Sequence, residues 1–333
     1  MNREIFSKKR ISIRKSSGKI CRTIICLSMI LALCLNGCST PSSSDGNSTV
    51  NDQPVPYSPN TQTQDTSDDE TEETDNSDEN TGDPSSDEQE DSADGTFDFN
   101  QSLSLKTPEP AAGESPRILF VGNSHTYSND LPTIFSQMTE AMGHGSDVQE
   151  LTQGAYTLTE FADPEDELGA VLNQKLTEEQ WDFVILQENT NDAFATPEET
   201  MLPAASSLDE KIRAAGGQTA LLMTWSPKDG ASIFSLNDVQ TILSQNLIDV
   251  SSTLDSLLIP GGVAFMRCLE QYPQIELWAE DGMHPSLEGS YLASCVAYAV
   301  IFQESPEGCG YTADLDAETA TQLQTLAAGF LVK

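Results

Sequence analysis

Between residues 117 and 302, apolar positions follow two alternating rhythms. Short apolar runs occur at 118–122, 181–187 and 220–224, with a second strand expected at 148–152 and a weaker one at 263–265 after Pro260-Gly261-Gly262. Between them lie longer stretches with apolar residues at helical spacing: 131–142, a Glu/Leu/Ala-rich stretch to Lys175, 196–215 stopped by Gly216-Gly217, and 236–258. A last helical stretch covers 287–302. Runs without polar alternation predict strands buried on both faces, and interleaved helices predict a parallel sheet covered on both sides. In such sheets ligands bind beyond the carboxyl ends of the strands, so residues just after each run are where chemistry is expected.

Composition divides the chain of 333 residues into three parts. Residues 1–38 carry eight Lys or Arg and one acid, followed by an apolar stretch, 23–35, too short to span a bilayer comfortably. The stretch ends in Leu35-Asn36-Gly37-Cys38, which resembles the lipobox of bacterial lipoproteins. That resemblance implies cleavage before Cys38 and lipidation of its thiol, hence a membrane anchor on the extracytoplasmic face. Asn36 departs from the usual box.

Residues 39–112 hold nineteen Asp or Glu against Lys106 alone, with few apolar positions, and read as a disordered acidic linker. As a coil this length spans about 50 Å. Residues 113–333 then form one domain of ordinary size for a single core. Without residues 1–38 the charge is 8 minus 52, or −44, which disfavours nucleic acid and other polyanions and favours neutral substrates. Three cysteines follow Cys38, namely Cys268, Cys295 and Cys309, and cannot all pair with one another. No spacing of His, Cys or carboxylates reads as a metal site, and no phosphate-cradling glycine loop occurs, so no cofactor is implied.

Two segments carry candidate chemistry. Gly122-Asn123-Ser124-His125-Thr126 follows the first strand, placing Ser124 where unpaired backbone N–H groups could hold an oxyanion. A Ser there is also a common helix cap. Asp281-Gly282-Met283-His284 sets an acid three residues before a histidine, a spacing that lets the carboxylate orient the imidazole. His144 and His125 read as exposed, Trp225 as pocket wall or core, Trp278 as packing, and Glu188 as a partner of the site or simply solvated.

Together these segments resemble the SGNH hydrolases, also called GDSL esterases, over about residues 116–305. That family also carries a Gly after the second strand and an Asn after the third, positions held here by Gly154 and Asn189. The resemblance implies a three-layer α/β/α sandwich around a flavodoxin-like sheet of about five strands, in the order 2-1-3-4-5. It implies Ser124 as nucleophile, His284 as base and Asp281 as its orienting acid. The oxyanion would be held by Ser124 N–H, Gly154 N–H and the Asn189 side chain.

Two departures stand out. Gly122-Asn123-Ser124 replaces Gly-Asp-Ser, and Gln187-Glu188-Asn189-Thr190 replaces Gly-x-Asn-Asp, leaving Asn191 as a second candidate donor. The implied function is a serine esterase, with carbohydrate O-deacetylation as the expected reaction on a small acylated substrate or acetylated glycan. Lipid acyl or thioester hydrolysis and non-catalytic glycan binding are the alternatives.

Overall fold

The structure is a computed structural model that describes residues 97–332 except 112 and 114. The expectations for Cys38 and for residues 39–96 lie outside the described residues. In chain order the elements are β1 Arg117–Gly122, α1 Ser124–Tyr127, α2 Leu131–Ala141, β2 Asp147–Thr152, α3 Leu158–Ala162, α4 Glu167–Glu178 and β3 Phe183–Leu186. They continue with α5 Thr190–Phe194, α6 Met201–Ala214, β4 Gln218–Leu222, α7 Leu236–Leu254, β5 Leu257–Ile259, α8 Gly261–Gln271, α9 Leu287–Phe302 and α10 Ala317–Ala328.

The five strands pair in parallel in the order β2-β1-β3-β4-β5, flanked by helices as a three-layer α/β/α sandwich. Strands β3 and β5 are buried throughout, and β1 and β4 in all but their first residue, so helices must cover both faces of the sheet. Edge strand β2 is only partly buried. Helices α2, α8, α9 and α10 pack together, and α3, α4, α6 and α7 form the other group. The register aligns Gly122 with Thr152 and Val121 with Leu186, bringing the strands' carboxyl ends to one edge.

The fifth strand differs from expectation. Residues 263–265 lie inside α8, and the strand is Leu257–Ile259, a run that reads as the tail of the preceding helix. The helix stops earlier because Asp255 adopts a left-handed conformation (φ 48°). Gly262, the second residue of α8, is wedged: a Cβ there would lie 2.2 Å from Gln240 Nε2 and 2.3 Å from Thr224 O. The helix expected to run to Lys175 breaks at Asp163-Pro164 into α3 and α4, each freshly capped, by Thr157 with Glu160 and by Asp166.

Helix α10 was not expected from the pattern. It covers α9, which is buried all round from Gly289 to Ile301 and therefore needs a partner on its outer side.

Residues 97–111 also differ from their reading as linker. Phe97, Phe99, Leu103, Leu105 and Ala111 pack against the core. Arg267 donates to the carbonyls of Phe99 (2.7 Å) and Gln101 (2.9 Å), Lys106 pairs with Asp255 (2.7 Å), and the Gln218 side chain bonds Glu109 through both its backbone groups. Apolar residues spaced among Ser and Pro supply this binding, a sparse pattern that composition averages away. Among the described residues no helix is long and apolar enough to cross a membrane.

Candidate active site

The turn from β1 into α1 is built around Asn123. Its side chain caps α1 by accepting from His125 N (3.2 Å), while its Nδ2 donates to Tyr156 O (3.0 Å). A neutral amide can do both, which an aspartate in that place could not. Asn123, not Ser124, is therefore the helix cap, and Ser124 is left as the first helical residue with its hydroxyl free for other work.

That hydroxyl lies 2.8 Å from His284 Nε2, and His284 Nδ1 lies 2.5 Å from Asp281 Oδ2. The ring orientation fits Nδ1–H donating to the carboxylate and Nε2 accepting from Ser124. Asp281 Oδ1 also accepts from the N–H groups of Met283 (2.9 Å) and His284 (3.0 Å). Partial burial pushes the Asp281 carboxyl up, but the His284 ring and those two N–H groups outweigh it and bring it to about 2. Residues 160 positions apart are thus joined in one hydrogen-bonded chain, Ser124–His284–Asp281.

The histidine loop is held from several sides. Trp278 and Pro285 form a bridge across it, Ala279 N donates to His284 O (2.9 Å), and Gly282 takes a positive φ of 67° at its tip. Asn129 Nδ2 donates to Pro285 O (2.9 Å), Lys228 N to Gly282 O (2.8 Å), and Trp225 Nε1 to Met283 O (3.3 Å).

On the other side of Ser124, two backbone donors are open. Among the described residues, neither Ser124 N–H nor Gly154 N–H has a hydrogen-bond partner. Gly154 lies beside Tyr127, whose Oη would be 3.1 Å from a Cβ at that position. Ala155 next to it adopts a left-handed φ of 63°, unusual for a residue with a side chain, and its carbonyl accepts from Asn189 Nδ2 (3.0 Å). One Asn189 N–H is thereby used, and its Oδ1 caps α5 by accepting from Asn191 N (3.0 Å). Asn191 sits inside α5.

His125 is not exposed as the sequence suggests. It is buried between Trp225 and His284, with ring centroids 5.5 and 5.6 Å away, and its Nδ1 lies 3.4 Å from Asn123 Oδ1. Burial, and then the nearby His284, lower its pKa to about 4. A residue on the first turn of α1 faces inward here because Trp225, just after β4, and His284 lie against it.

Trp225 is core, stacked on Phe265 at 4.1 Å, and Trp278 packs edge-on to the same ring. His144 is partly buried, lying 4.6 Å from the Phe302 ring and 3.0 Å from Glu304. Cys268, Cys295 and Cys309 are free and buried, and no metal-ligating cluster exists among the described residues. Glu188 is buried.

Gln187, which sequence reasoning passed over, proves central. Its Oε1 accepts from Asn123 N–H and Thr126 Oγ1, both at 2.8 Å. The available signal was a long polar residue directly after the apolar strand Phe183–Leu186.

No protein-family model and no curated protein matches the chain. Among solved structures, a DUF4886 family protein from Bacteroides uniformis is similar over 64% of this chain and 93% of its own, at 15% identity and a TM-score of 0.53. A protein from Slackia heliotrinireducens, provisionally described as an SGNH hydrolase, matches over 56% of this chain and 98% of its own, at 29% identity and a TM-score of 0.49. The chain shares its fold with the Bacteroides uniformis protein.

Proposed function

We propose that this chain is an extracytoplasmic serine esterase, tethered through a lipid on Cys38, that removes small acyl groups from carbohydrate. The observation that carries the reading is the continuous Ser124–His284–Asp281 hydrogen-bonded chain beside two open backbone N–H groups. In this reading Ser124 Oγ attacks the acyl carbon while His284 Nε2 takes the hydroxyl proton. Asp281, held ionised by its three donors, steadies the imidazolium that results. The N–H groups of Ser124 and Gly154, with the second N–H of Asn189 Nδ2, receive the negative charge that develops on the carbonyl oxygen.

Collapse expels the sugar hydroxyl, which takes the proton from His284. Water then enters by the same route in reverse, frees the acid and regenerates Ser124. A carbohydrate substrate is supported by the expected cell-surface placement and by a chain charge that disfavours anionic partners.

The test is turnover of an acetylated xylo-oligosaccharide and of nitrophenyl esters of increasing chain length by the full chain. Ser124→Ala and His284→Ala serve as controls. The expected result is acetyl-sugar turnover that falls at least a thousandfold in both variants, with acetyl preferred over long acyl chains. Preference for long chains would favour a lipid substrate. Turnover equal in wild type and variants would end the esterase reading.

A further inference from the structure

The departures in the third-strand motif converge on one arrangement. Gln187 Oε1 accepts from Asn123 N–H in the nucleophile turn, and its Nε2 donates to Glu188 O (2.7 Å). Glu188 Oε1 accepts from Asn189 N–H (2.6 Å) and, across to the loop that follows β2, from Leu158 N–H (3.1 Å). Asn189 Nδ2 reaches the same loop at Ala155 O, one residue after Gly154. Three consecutive residues at the carboxyl end of β3 therefore fasten the turns that carry Ser124, Gly154 and Asn189. Glu188 Oε2 is buried and has no hydrogen-bond partner among the described residues, so the side chain reaches its second loop through one oxygen.

We propose that Glu188 is a positioning residue of the oxyanion pocket: a buried carboxyl that locks the Asn189 loop to the Gly154 loop. The proposal rests on the esterase reading of Ser124, His284 and Asp281.

A carboxylate with one unsatisfied oxygen in a buried site is unfavourable; the protonated acid carries no charge and still accepts both N–H groups through Oε1, leaving one O–H at Oε2 without an acceptor, which costs less than a buried charge. The charged groups facing it agree with the neutral form. Burial is the main effect that pushes Glu188 up, to about 8, and Asp192 of α5 and Glu160 of α3 add to it, outweighing the two N–H donors. At neutral pH Glu188 itself thus adds no negative charge beside Asn189, where negative charge must develop. Above pH 8 the carboxyl ionises, and the new charge opposes the oxyanion.

The experiment compares kcat and KM of the full chain with its Glu188→Gln and Glu188→Ala variants, on nitrophenyl acetate and an acetylated oligosaccharide, from pH 6 to pH 10. Glutamine keeps an accepting oxygen and cannot ionise. The expected result is that Glu188→Gln stays within about threefold of wild type at pH 7 and lacks the fall in kcat that wild type shows near pH 8. Glu188→Ala should lose roughly 10- to 100-fold in kcat with KM nearly unchanged, part or all of the effect of one oxyanion donor.

The same alkaline fall in wild type and Glu188→Gln would overturn the proposal, as would an unimpaired Glu188→Ala. The Gln variant decides the matter even if Glu188→Ala does not fold. Activity that needs Ser124 but ignores Glu188 sinks this inference alone. Activity that survives Ser124→Ala sinks the esterase reading and this inference with it.

Discussion

Acid should destabilise this protein through His125, by an amount its surroundings set. The ring is buried between Trp225 and His284, and its pKa of about 4 compares with 6.5 for an ordinary imidazole. At pH 7.5 the ring is neutral in both the folded and the unfolded chain. Below pH 6.5 the unfolded chain takes up a proton that the folded chain refuses. Stability therefore falls until the folded ring protonates near pH 4. A gap of roughly 2.5 pH units at about 1.36 kcal/mol each gives about 3 kcal/mol in full, of which about 2.5 kcal/mol is lost between pH 7.5 and pH 4.5.

His125→Phe keeps a ring against Trp225 and cannot bind a proton. Its own cost, from losing the ring's polar contact with Asn123 Oδ1, is the same at both pH values. Urea unfolding followed by Trp fluorescence, at pH 7.5 and pH 4.5, separates the two effects. The variant should lose about 2.5 kcal/mol less than wild type on acidification, because the many carboxyls contribute equally to both proteins. Equal losses in the two proteins would refute the reasoning.

Other positions give equally direct expectations. Gly122→Ala places a Cβ 2.5 Å from Gln187 Oε1 and 2.6 Å from Thr126 Oγ1, so the amide that holds Asn123 N–H must move. Unfolding should show a loss of about 1–3 kcal/mol and esterase assays a tenfold or greater drop in kcat; a variant indistinguishable from wild type would contradict this. Ala155→Gly should unfold with stability unchanged or up to about 1 kcal/mol higher, as relief of the left-handed strain offsets the flexibility of glycine. Ala155→Val should lose about 2 kcal/mol or more, and a stable valine variant would argue against that backbone geometry. Arg267→Ala removes the donors to Phe99 O and Gln101 O and the cation stacked 4.3 Å from the Phe330 ring. It should lower stability by about 2 kcal/mol in denaturant titrations while leaving kcat alone, and no loss would mean that residues 97–111 hold on by other contacts.

Much of this protein is local enough to be read from the chain. The runs at 118–122, 181–187 and 220–224 declare buried strands because apolar continuity leaves no solvent face, and the structure puts strands there with ends shifted by two residues at most. Ser124, Asp281 and His284 stood out as candidates through two short motifs, one of them at a strand end, whereas Gly154 and Asn189 were singled out only by the resemblance to the SGNH hydrolases. What the chain could not declare depended on partners distant in sequence. The last strand was misplaced because three apolar residues after a long helix look like more helix; Asp255 and the wedged Gly262 decide otherwise. His125 looked exposed because its burial comes from Trp225 and the loop bearing His284, a hundred and more positions away. Residues 97–111 looked like linker because their anchors, Gln218, Asp255 and Arg267, lie far along the chain. Sequence determined which residues are candidates for the site, since strand ends and short motifs are local. Tertiary structure decided how they are held, since the Gln187 and Glu188 contacts, the charge state of His125 and the 2.8 Å meeting of Ser124 with His284 exist only once distant segments pack.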